Sequence, residues 1–254
     1  MDTDKPQITV VDEELPKLLF ELSHGWRLEI LSTIKEKGKR HSELSRTLKV
    51  SPQETTRHMV RLVEIGLVQK DSEGRYNLTN TGQLVLAFIP ALNMISKHSG
   101  FFSTHDISGI PHEYVLRLGE LDNTTLRKAD PLSTLNRAVQ AIRGAKGQVF
   151  LMNVGRIEFA DQRKDMELRC ILPESLSCAT AENKNPEQCR YMDNIKLTII
   201  LTGETAAICL PDLEGKMDYT TYLGSKDSAF KKWCRDLFQH YWTKAKPQSG
   251  KTEK

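Results

Sequence analysis

The side chains with the clearest chemical signature lie in the segment SPQETTRHMVRLVEIGLVQKDSEGR, at residues 51–75. A helix over the first part of this segment leaves four residues opposite its apolar residues: Gln53, Thr56, Arg57 and Arg61. Short polar or arginine side chains near the start of a helix reach base edges when that end enters the major groove of DNA. The segment therefore predicts a surface for double-stranded DNA, with the following candidate contacts: Ser51, Gln53, Thr56, Arg57, His58, Arg61, Lys70 and Arg75.

The other cationic candidates are predicted to contact phosphates or the minor groove. His58 and Arg61 lie on the same helix, where a cationic side chain meets phosphate. Lys70 and Arg75 flank the DSEG turn and would add backbone or minor-groove contacts. Because the turn itself carries two acidic residues, we expect a modest contribution from it.

Charge is sorted along the N-terminal third of the chain. Residues 37–76 hold nine Lys or Arg against five Asp or Glu, whereas residues 1–36 hold four against eight. The whole chain has a net charge of only +3 and an isoelectric point near 8.5, so it is not a polycation of the histone type. A nucleic-acid surface must then come from local clustering, and the basic segment is the one that contains the candidate contacts.

Predicted helices and a hairpin position these side chains. Residues 12–37 read as helices with a break at Gly25, and HSELSRTLK reads as a short helix capped by Ser42. The next helix has Ser51 as its N-cap, a proline at its first position and Glu54 three residues after the cap, which is a capping-box pattern. It ends at a glycine, and LVQKDSEGRYNLT alternates as two short strands about a turn.

The buried stripe of this helix is predicted at Thr55, Met59, Leu62 and Val63. The order of two helices, a short KVS turn, a third helix and a two-stranded ribbon is typical of a winged helix-turn-helix domain, predicted over residues 1–80. Winged helices also serve as protein-interaction modules. An adaptor that binds another protein through this domain is therefore the alternative to DNA binding.

Residues 81–100 are predicted to form a linker helix with an apolar face. Leu84, Phe88, Ala91 and Ile95 keep a spacing like that of a coiled coil, and an internal proline predicts a kink. This face has no obvious partner in the small N-terminal domain. Packing against the same helix of a second subunit is favoured over cover by the C-terminal domain, so we expect a homodimer.

From about residue 101 the pattern changes to alternating helices and strands. QVFLMNVG, MELRCILP, IKLTIIL and TAAICLPD read as strands, DPLSTLNRAVQAIRGAKG as a helix capped by Asp130, and residues 225–246 as a final amphipathic helix. This alternation predicts a partly parallel sheet that ends in an antiparallel meander around LTGET. The fold class is therefore α+β or α/β, with a mixed-sheet α/β domain over residues 101–247 and a disordered tail over residues 248–254.

The sequence lacks the usual catalytic motifs. No histidine is followed by lysine two positions on, as a phospholipase-D-type nucleophile requires, and GxSxG, P-loop and GxGxxG patterns do not occur. An enzyme is therefore not expected, and no cofactor is predicted. A polar cluster could ligate Zn²⁺, but its spacing fits no standard ligand pattern, which favours a structural role; its members are His98, His105, Asp106, His112 and Glu113.

Five cysteines, an odd number with no signal peptide before them, indicate a reducing cytosol rather than a disulfide framework. Cys170 and Cys209 lie in strand-like runs, where a small buried hydrophobic residue is the default role. Cys178 and Cys189 lie in a polar connection, and a redox role for one of them stays open. The longest apolar run, LVLAFIPALNMI, is too short to cross a bilayer, so we expect a cytoplasmic protein with no membrane partner.

The segment ELSRTLKVSPQETTRHMVRLVEIGLVQKDSEGRYNLTNTG resembles the winged helix-turn-helix of archaeal ArsR-like regulators. GFFSTHDISGIPHEYVLRLGEL resembles the start of the FilR-type methanogenesis regulatory domain, and LTIILTGETAAICLPDLEGKMDYTTYLGSKDSAFKKWCRDLFQHYW resembles its end. The resemblance implies an archaeal, homodimeric transcription regulator. Its C-terminal effector domain is implied to be distantly similar to phospholipase-D-type sensor domains.

Taken together, the residues and the resemblance predict a sequence-specific DNA-binding transcription regulator that acts as a homodimer. The second domain is expected to sense an unidentified small-molecule effector. A regulator without a ligand, in which the second domain only mediates dimerisation, is the other possibility.

Overall fold

The computed structural model describes residues 13–154, 166–176 and 188–247. The chain forms two compact units, and the boundary between them lies between Ile89 and Pro90. The predicted domain boundaries near residues 80 and 100 stay a prediction, and the predicted tail lies outside the described residues. Within the described ranges, no helix combines the length and the apolar character needed to span a membrane.

The first unit consists of short helices and strands. The elements are α1 (Glu14–Leu22), α2 (Gly25–Thr33), β1 (Lys39–Arg40), α3 (His41–Leu48), α4 (Pro52–Glu64), β2 (Val68–Lys70) and β3 (Arg75–Leu78). Gly25 is the first residue of α2, which confirms the predicted break. Gly66 adopts a left-handed φ of 70° just after α4, a conformation that glycine reaches at little cost, and it ends the helix as predicted.

A three-stranded antiparallel sheet has the order β1-β3-β2. β1 places Lys39 opposite Tyr76 and Arg40 opposite Arg75, and β2 pairs with the other edge of β3. The sequence predicts the hairpin of β2 and β3 but not β1, because a two-residue strand has no alternation to read.

The start of α3 differs from the prediction. Ser42 is the predicted cap, whereas Arg40 is the N-cap and His41 is the first helical residue. The Glu43 carboxylate accepts a hydrogen bond from the Arg40 N–H at 2.7 Å, which satisfies an amide at the helix start. Since pairing with β3 holds Arg40 extended, the helix begins directly after the strand.

The core side of α4 is rotated relative to the predicted stripe. Thr55, His58, Met59 and Leu62 are buried, at the i, i+3, i+4 and i+7 spacing of one helix face. Val63, which the sequence assigns to the core, is 43% exposed. The helix packs on the main hydrophobic cluster of this unit, formed by Leu22, Ile30, Leu31, Ile34, Leu44, Leu48, Met59, Leu62, Leu67, Val68, Leu78 and Leu86.

The next helix, α5 (Asn80–Lys97), starts on the hairpin. The Thr79 hydroxyl donates to the Gly66 carbonyl at 2.6 Å and accepts from the Gly82 N–H at 3.0 Å. A Cβ at Gly82 would lie 2.1 Å from the Leu67 carbonyl oxygen, so glycine is required where the helix passes this backbone.

The outer face of α5 is apolar. Leu84, Phe88, Leu92 and Ile95 are 66%, 62%, 52% and 43% exposed. Ala91, which the sequence assigns to this face, instead packs against the hydrophobic core of the second unit. The predicted helix is therefore present, and its exposed apolar residues include Leu92 in place of Ala91.

The second unit combines short and long helices with one large sheet. Its elements are α6 (Ser99–Phe102), α7 (His112–Val115), β4 (Thr125–Lys128), α8 (Pro131–Gly144), β5 (Gly147–Met152), β6 (Met166–Leu172), β7 (Cys189–Tyr191), β8 (Thr198–Leu201), β9 (Ala206–Cys209), β10 (Thr221–Ser225), α9 (Ser228–Lys244) and β11 (Lys246–Pro247). The Asp130 carboxylate accepts from the Ser133 N–H at 2.9 Å, which confirms the predicted cap of α8.

The described strands of this unit form an eight-stranded sheet in the order β11-β7-β6-β5-β8-β9-β10-β4. β5, β6 and β7 run parallel, and the other neighbouring pairs are antiparallel. The predicted mixed sheet is confirmed, since β5 to β7 are parallel and β8 and β9 form the antiparallel hairpin around LTGET. β4, β7, β10 and β11 are not predicted; β7 and β11, with three and two residues, are too short to show an alternating pattern.

The final helix, α9, supplies the centre of the second core. The Asp227 carboxylate caps it by accepting from the Ala229 and Phe230 amides at 2.9 and 3.2 Å. Trp233 and Phe238 are fully buried, and the Trp233 indole N–H donates to the Tyr114 carbonyl at 3.2 Å. The prediction of an amphipathic final helix is confirmed.

Candidate nucleic-acid interface

The start of α4 is fixed by local hydrogen bonds. Ser51 Oγ accepts from the Glu54 N–H at 3.2 Å, and Pro52 is the first helical residue. Proline suits this position because its missing N–H would have no partner in the helix. The predicted Ser51 cap is therefore confirmed, and the positive end of the helix dipole is held in a defined place.

Side-chain hydrogen bonds tie α3 to α4. The Ser45 hydroxyl donates to Thr55 Oγ1 at 3.0 Å, in the buried angle between the two helices. On the outside, Thr56 Oγ1 lies 3.0 Å from His41 Nε2. Lys49 ends α3 in the left-handed conformation with φ of 55°, which turns the chain toward α4. The orientation of α4 on α3 is thus set by specific groups as well as by the core.

Four residues form the outward face of α4. Gln53, Thr56, Arg57 and Val60 are all exposed and follow the i, i+3, i+4, i+7 spacing of one helix face. Within the described part of the chain Arg57 forms no ion pair, so its charge is available to a partner. Sequence reasoning overlooked Val60, which is 48% exposed, although its spacing from Gln53 and Arg57 could have revealed it.

His58 lies inside the unit rather than on its surface. It is 6% exposed, its Nε2 has no hydrogen-bond partner, and its ring centroid is 4.4 Å from that of His24. Burial lowers the pKa of His58, and the neighbouring His24, Arg27 and Arg57 lower it further. A neutral, enclosed imidazole cannot serve as a phosphate contact in this state, so its position differs from the prediction.

Arg61 is partly engaged by an acidic residue of α1. Its Nη1 lies 3.7 Å from Glu21 Oε1, and the same carboxylate forms a buried ion pair with Arg27. The Arg61 side chain is 55% exposed, whereas those of Arg27 and Glu21 are 9% and 7% exposed. One carboxylate therefore serves two guanidinium groups, and Arg61 keeps an exposed cationic surface.

The β2–β3 hairpin is organised around Asp71. Its carboxylate accepts from the amides of Glu73 and Arg75 at 3.0 and 2.8 Å and from Asn77 Nδ2 at 2.9 Å. The Arg75 amide in particular holds the pKa of Asp71 below its usual range. Of the two predicted cations, Arg75 lies 3.4 Å from Glu73, and Lys70 lies over the Tyr76 ring at 5.6 Å.

Most basic residues of the predicted segment reach solvent. Seven are exposed, and Lys39 and Arg75 are half-buried. This distribution supplies the positive surface that a polyanion requires. The exposed basic residues are Lys37, Arg40, Arg46, Lys49, Arg57, Arg61 and Lys70.

The polar cluster of the second unit is built into its fold. His105 is buried, with Nδ1 2.9 Å from the Phe101 carbonyl and Nε2 3.1 Å from Asp218 Oδ2. The Asp106 carboxylate accepts from the Ser108 N–H at 2.7 Å. Across the described residues, no three His, Cys, Asp or Glu side chains are arranged to hold a metal ion.

The remaining members of that cluster also have separate surroundings. His98 is buried, and burial lowers its pKa. Glu113 lies 3.2 Å from His240 Nδ1 on α9, while His112 starts α7. The five residues of this polar cluster thus make separate contacts in the second unit.

Comparison with solved structures finds distant similarities. TrmBL2, described as an archaeal chromatin protein with a novel mode of DNA binding, is 17% identical; the alignment covers 85% of this chain and 91% of that chain with a TM-score of 0.38. The Agobacterium tumefaciens repressor BlcR is 11% identical over 89% of this chain and 97% of its own, with a TM-score of 0.22. The S-adenosylmethionine-dependent methyltransferase SibL is 12% identical over 71% and 62%, with a TM-score of 0.27. TM-scores this low define neither a shared fold nor a shared function.

Comparison with curated proteins finds no match. Comparison with protein-family models finds one match, which starts at the end of β6 and reaches the end of α9. It is narrower than the resemblance expected from the sequence, because GFFSTHDISGIPHEYVLRLGEL precedes it. Residues 172–244 of this chain match the model described as the middle domain of the methanogenesis regulatory protein FilR1.

Proposed function

We propose that this protein is a cytoplasmic DNA-binding transcription regulator rather than an enzyme, with its first unit acting as a winged helix-turn-helix of the ArsR-like type. The observation that carries the proposal is the exposed face of α4, while the opposite face holds the core. A capped helix with short polar and arginine side chains near its N-terminus fits the major groove.

Each residue of that face has a natural partner on DNA. The Gln53 amide can donate and accept in one plane, as an adenine edge requires. The Arg57 guanidinium can bind guanine or phosphate, and Val60 can contact a thymine methyl group. Lys49 and Arg46, both exposed, add sequence-independent attraction to the phosphates.

Two further features support a regulator. The element order of the first unit, with β1 joining the hairpin of β2 and β3, is the order expected of a winged helix. The match of residues 172–244 to a domain of a regulatory protein supports a regulatory role for the second unit.

The proposal includes a homodimer that pairs through α5. Leu84, Phe88, Leu92 and Ile95 form an exposed apolar stripe, and burying it against a second copy would remove large side chains from water. Two α4 helices in one dimer would read half-sites about one helical turn apart. The second unit would respond to a small-molecule effector, and native mass spectrometry of freshly purified protein would detect one that is retained.

Arg57 gives the cleanest test of DNA binding. Fluorescence anisotropy with a labelled duplex of mixed sequence is expected to show salt-dependent binding by the wild type. Arg57→Glu should weaken it about tenfold or more, and Arg57→Ala should reduce the slope of log affinity against log salt by about 0.9. Arg61 is less suitable, because a second acid beside the buried Glu21 would disturb folding as well.

Arg137→Glu is the matched control, because Arg137 is an exposed arginine on α8 in the second unit and the charge change is the same. It should leave duplex affinity near that of the wild type. A wild type with no measurable duplex affinity at low salt would refute DNA binding and favour the protein-binding adaptor.

Sedimentation of Phe88→Asp tests the dimer: we expect monomers, and an unchanged dimer would exclude the α5 interface.

A further inference from the structure

Two cysteines of the second unit face each other across neighbouring strands. Cys170 on β6 and Cys189 on β7 are direct partners in the parallel register. Both are buried, at 2% and 7% exposure, and both belong to the same hydrophobic cluster on one face of the sheet. Cys209, by contrast, lies opposite Thr198, and Cys234 lies on α9.

The register brings these thiols within disulfide range. Neighbouring strands lie about 4.8 Å apart, and disulfides join Cα atoms that are about 4.4–6.8 Å apart. β7 has only three residues and borders the two-residue β11, so a small shift that brings the sulfur atoms together would disturb few ladder hydrogen bonds.

The two thiols also differ in readiness to ionise. A hydrogen bond from the Cys170 thiol lowers the pKa of Cys189. The pKa of Cys170 is raised by the same hydrogen bond and by burial. Cys189 is therefore the first nucleophile and Cys170 is the resolving thiol, since the thiolate is the reactive form. Among the described residues no other thiol contacts Cys209, and burial raises its pKa to about 12.

We propose that Cys170 and Cys189 form a reversible disulfide site that closes under peroxide-class oxidants and reopens with thiol reductants. The Cys189 thiolate attacks one oxygen of hydrogen peroxide, the O–O bond breaks, and the leaving hydroxide takes up a proton to become water. The Cys170 sulfur, after losing its proton, attacks the resulting sulfenic sulfur and expels its oxygen as a second water. Two thiols and one peroxide thus give one disulfide and two waters.

Peptide mapping of the full-length protein tests this site. Wild-type protein is treated with hydrogen peroxide, its remaining thiols are alkylated under denaturing conditions, and the linked peptides are identified by mass spectrometry. Trypsin leaves Cys170 and Cys178 in one peptide, residues 170–184, so a second cleavage after Glu174 is needed to separate them. We expect Cys170 linked to Cys189, and we expect dithiothreitol to release the link.

The competing outcomes overturn the proposal. A link between Cys178 and Cys189, or full alkylation of Cys170 and Cys189 after peroxide, would exclude the site. Cys178→Ser should keep the link, while Cys170→Ser should abolish it. Cys209→Ser is the matched control for replacing a buried strand cysteine, and it should oxidise as the wild type does.

Discussion

The two units share charge in opposite ways. In the first unit one carboxylate, that of Glu21, contacts both Arg27 and Arg61. In the second unit one guanidinium, that of Arg117, contacts Glu120 at 2.6 Å and Asp236 at 2.7 Å. The first cluster therefore has two cations and one anion. Arg117 and its two carboxylates have one cation and two anions.

Because of this difference in net charge, the first cluster can bind an anion, whereas the charges of the second cluster neutralise one another. Lys232 lies 2.8 Å from Asp236, so the second cluster is neutral and all its charges have partners. No matching second carboxylate contacts Arg61 within the described residues, and its side chain stays 55% exposed. A net positive cluster beside the outward face of α4 is consistent with a DNA partner, whereas the neutral cluster braces the second core.

Removing the shared carboxylate should have the largest effect. In Glu21→Gln the buried Arg27 keeps its charge but loses its partner, which costs on the order of 3 kcal/mol. Burial already lowers the pKa of Arg27, as expected where the charged form is poorly solvated. Chemical denaturation, with hydrogen exchange followed on α1 and α4, should show this loss of unfolding free energy in the first unit.

Glu14→Gln is the control on the same helix. The Glu14 side chain is 76% exposed and lies 3.2 Å from Lys17, so its loss should change stability by less than about 0.5 kcal/mol. Equal effects of the two substitutions would mean that the Glu21 cluster does not stabilise the first unit.

The corresponding change in the second unit should have a smaller effect. Arg117→Gln leaves Glu120 and Asp236 only about 30% exposed and without their fork-shaped partner, which should cost about 2 kcal/mol. Lys232 still neutralises one of the acids, which is why the loss is smaller than at Glu21. The unfolding free energy of the second unit, followed by exchange in α9, is the measurement.

Arg117→Lys and Arg137→Gln complete this test. Lysine keeps the charge but cannot donate to both carboxylates in the guanidinium geometry, so it should restore less than half of the loss. Arg137 lies exposed on α8, and its replacement should be close to neutral. If lysine restores full stability, charge alone accounts for the cluster and the fork geometry is irrelevant.

The sequence predicted elements that carry their own local signal. Ser51 and Asp130 were readable as caps because a cap bonds to an amide a few residues away, and both bonds are present. β1 and β7 were not readable, since strands of two or three residues exist only through pairing with distant segments. The pairing of Arg40 with β3 also explains why α3 begins before its predicted cap.

In the candidate site, too, some features follow from local sequence and others depend on distant contacts. Hydrophobicity favours Val63 over His58 for the core of α4, but helix geometry buries His58, which continues the spacing of Thr55, Met59 and Leu62. His24, the N-cap of α2, packs against the His58 ring. The sequence does not give the position of α2, so it could not predict that His58 faces inward. The Glu21 contact with Arg61 spans 40 positions of sequence, and no local pattern indicates it.

The smallest expected effect is on the pH dependence of stability, through one buried histidine in each unit: His58 in the first and His98 in the second. The pKa of His58 is lowered by burial and by nearby His24, Arg27 and Arg57, so its folded state favours the neutral ring. The unfolded ring has a pKa of about 6.5, so this stability is fully present above that pH and is lost as pH falls below it. His58→Gln should remove this part of the pH dependence of unfolding. His98→Gln should act in the same direction, because burial and the Lys97 charge lower the pKa of His98, while the Thr124 carbonyl and Asp122 partly oppose them. If both variants kept the wild-type slope of unfolding free energy between about pH 7 and about pH 5, neither ring would be neutral by burial.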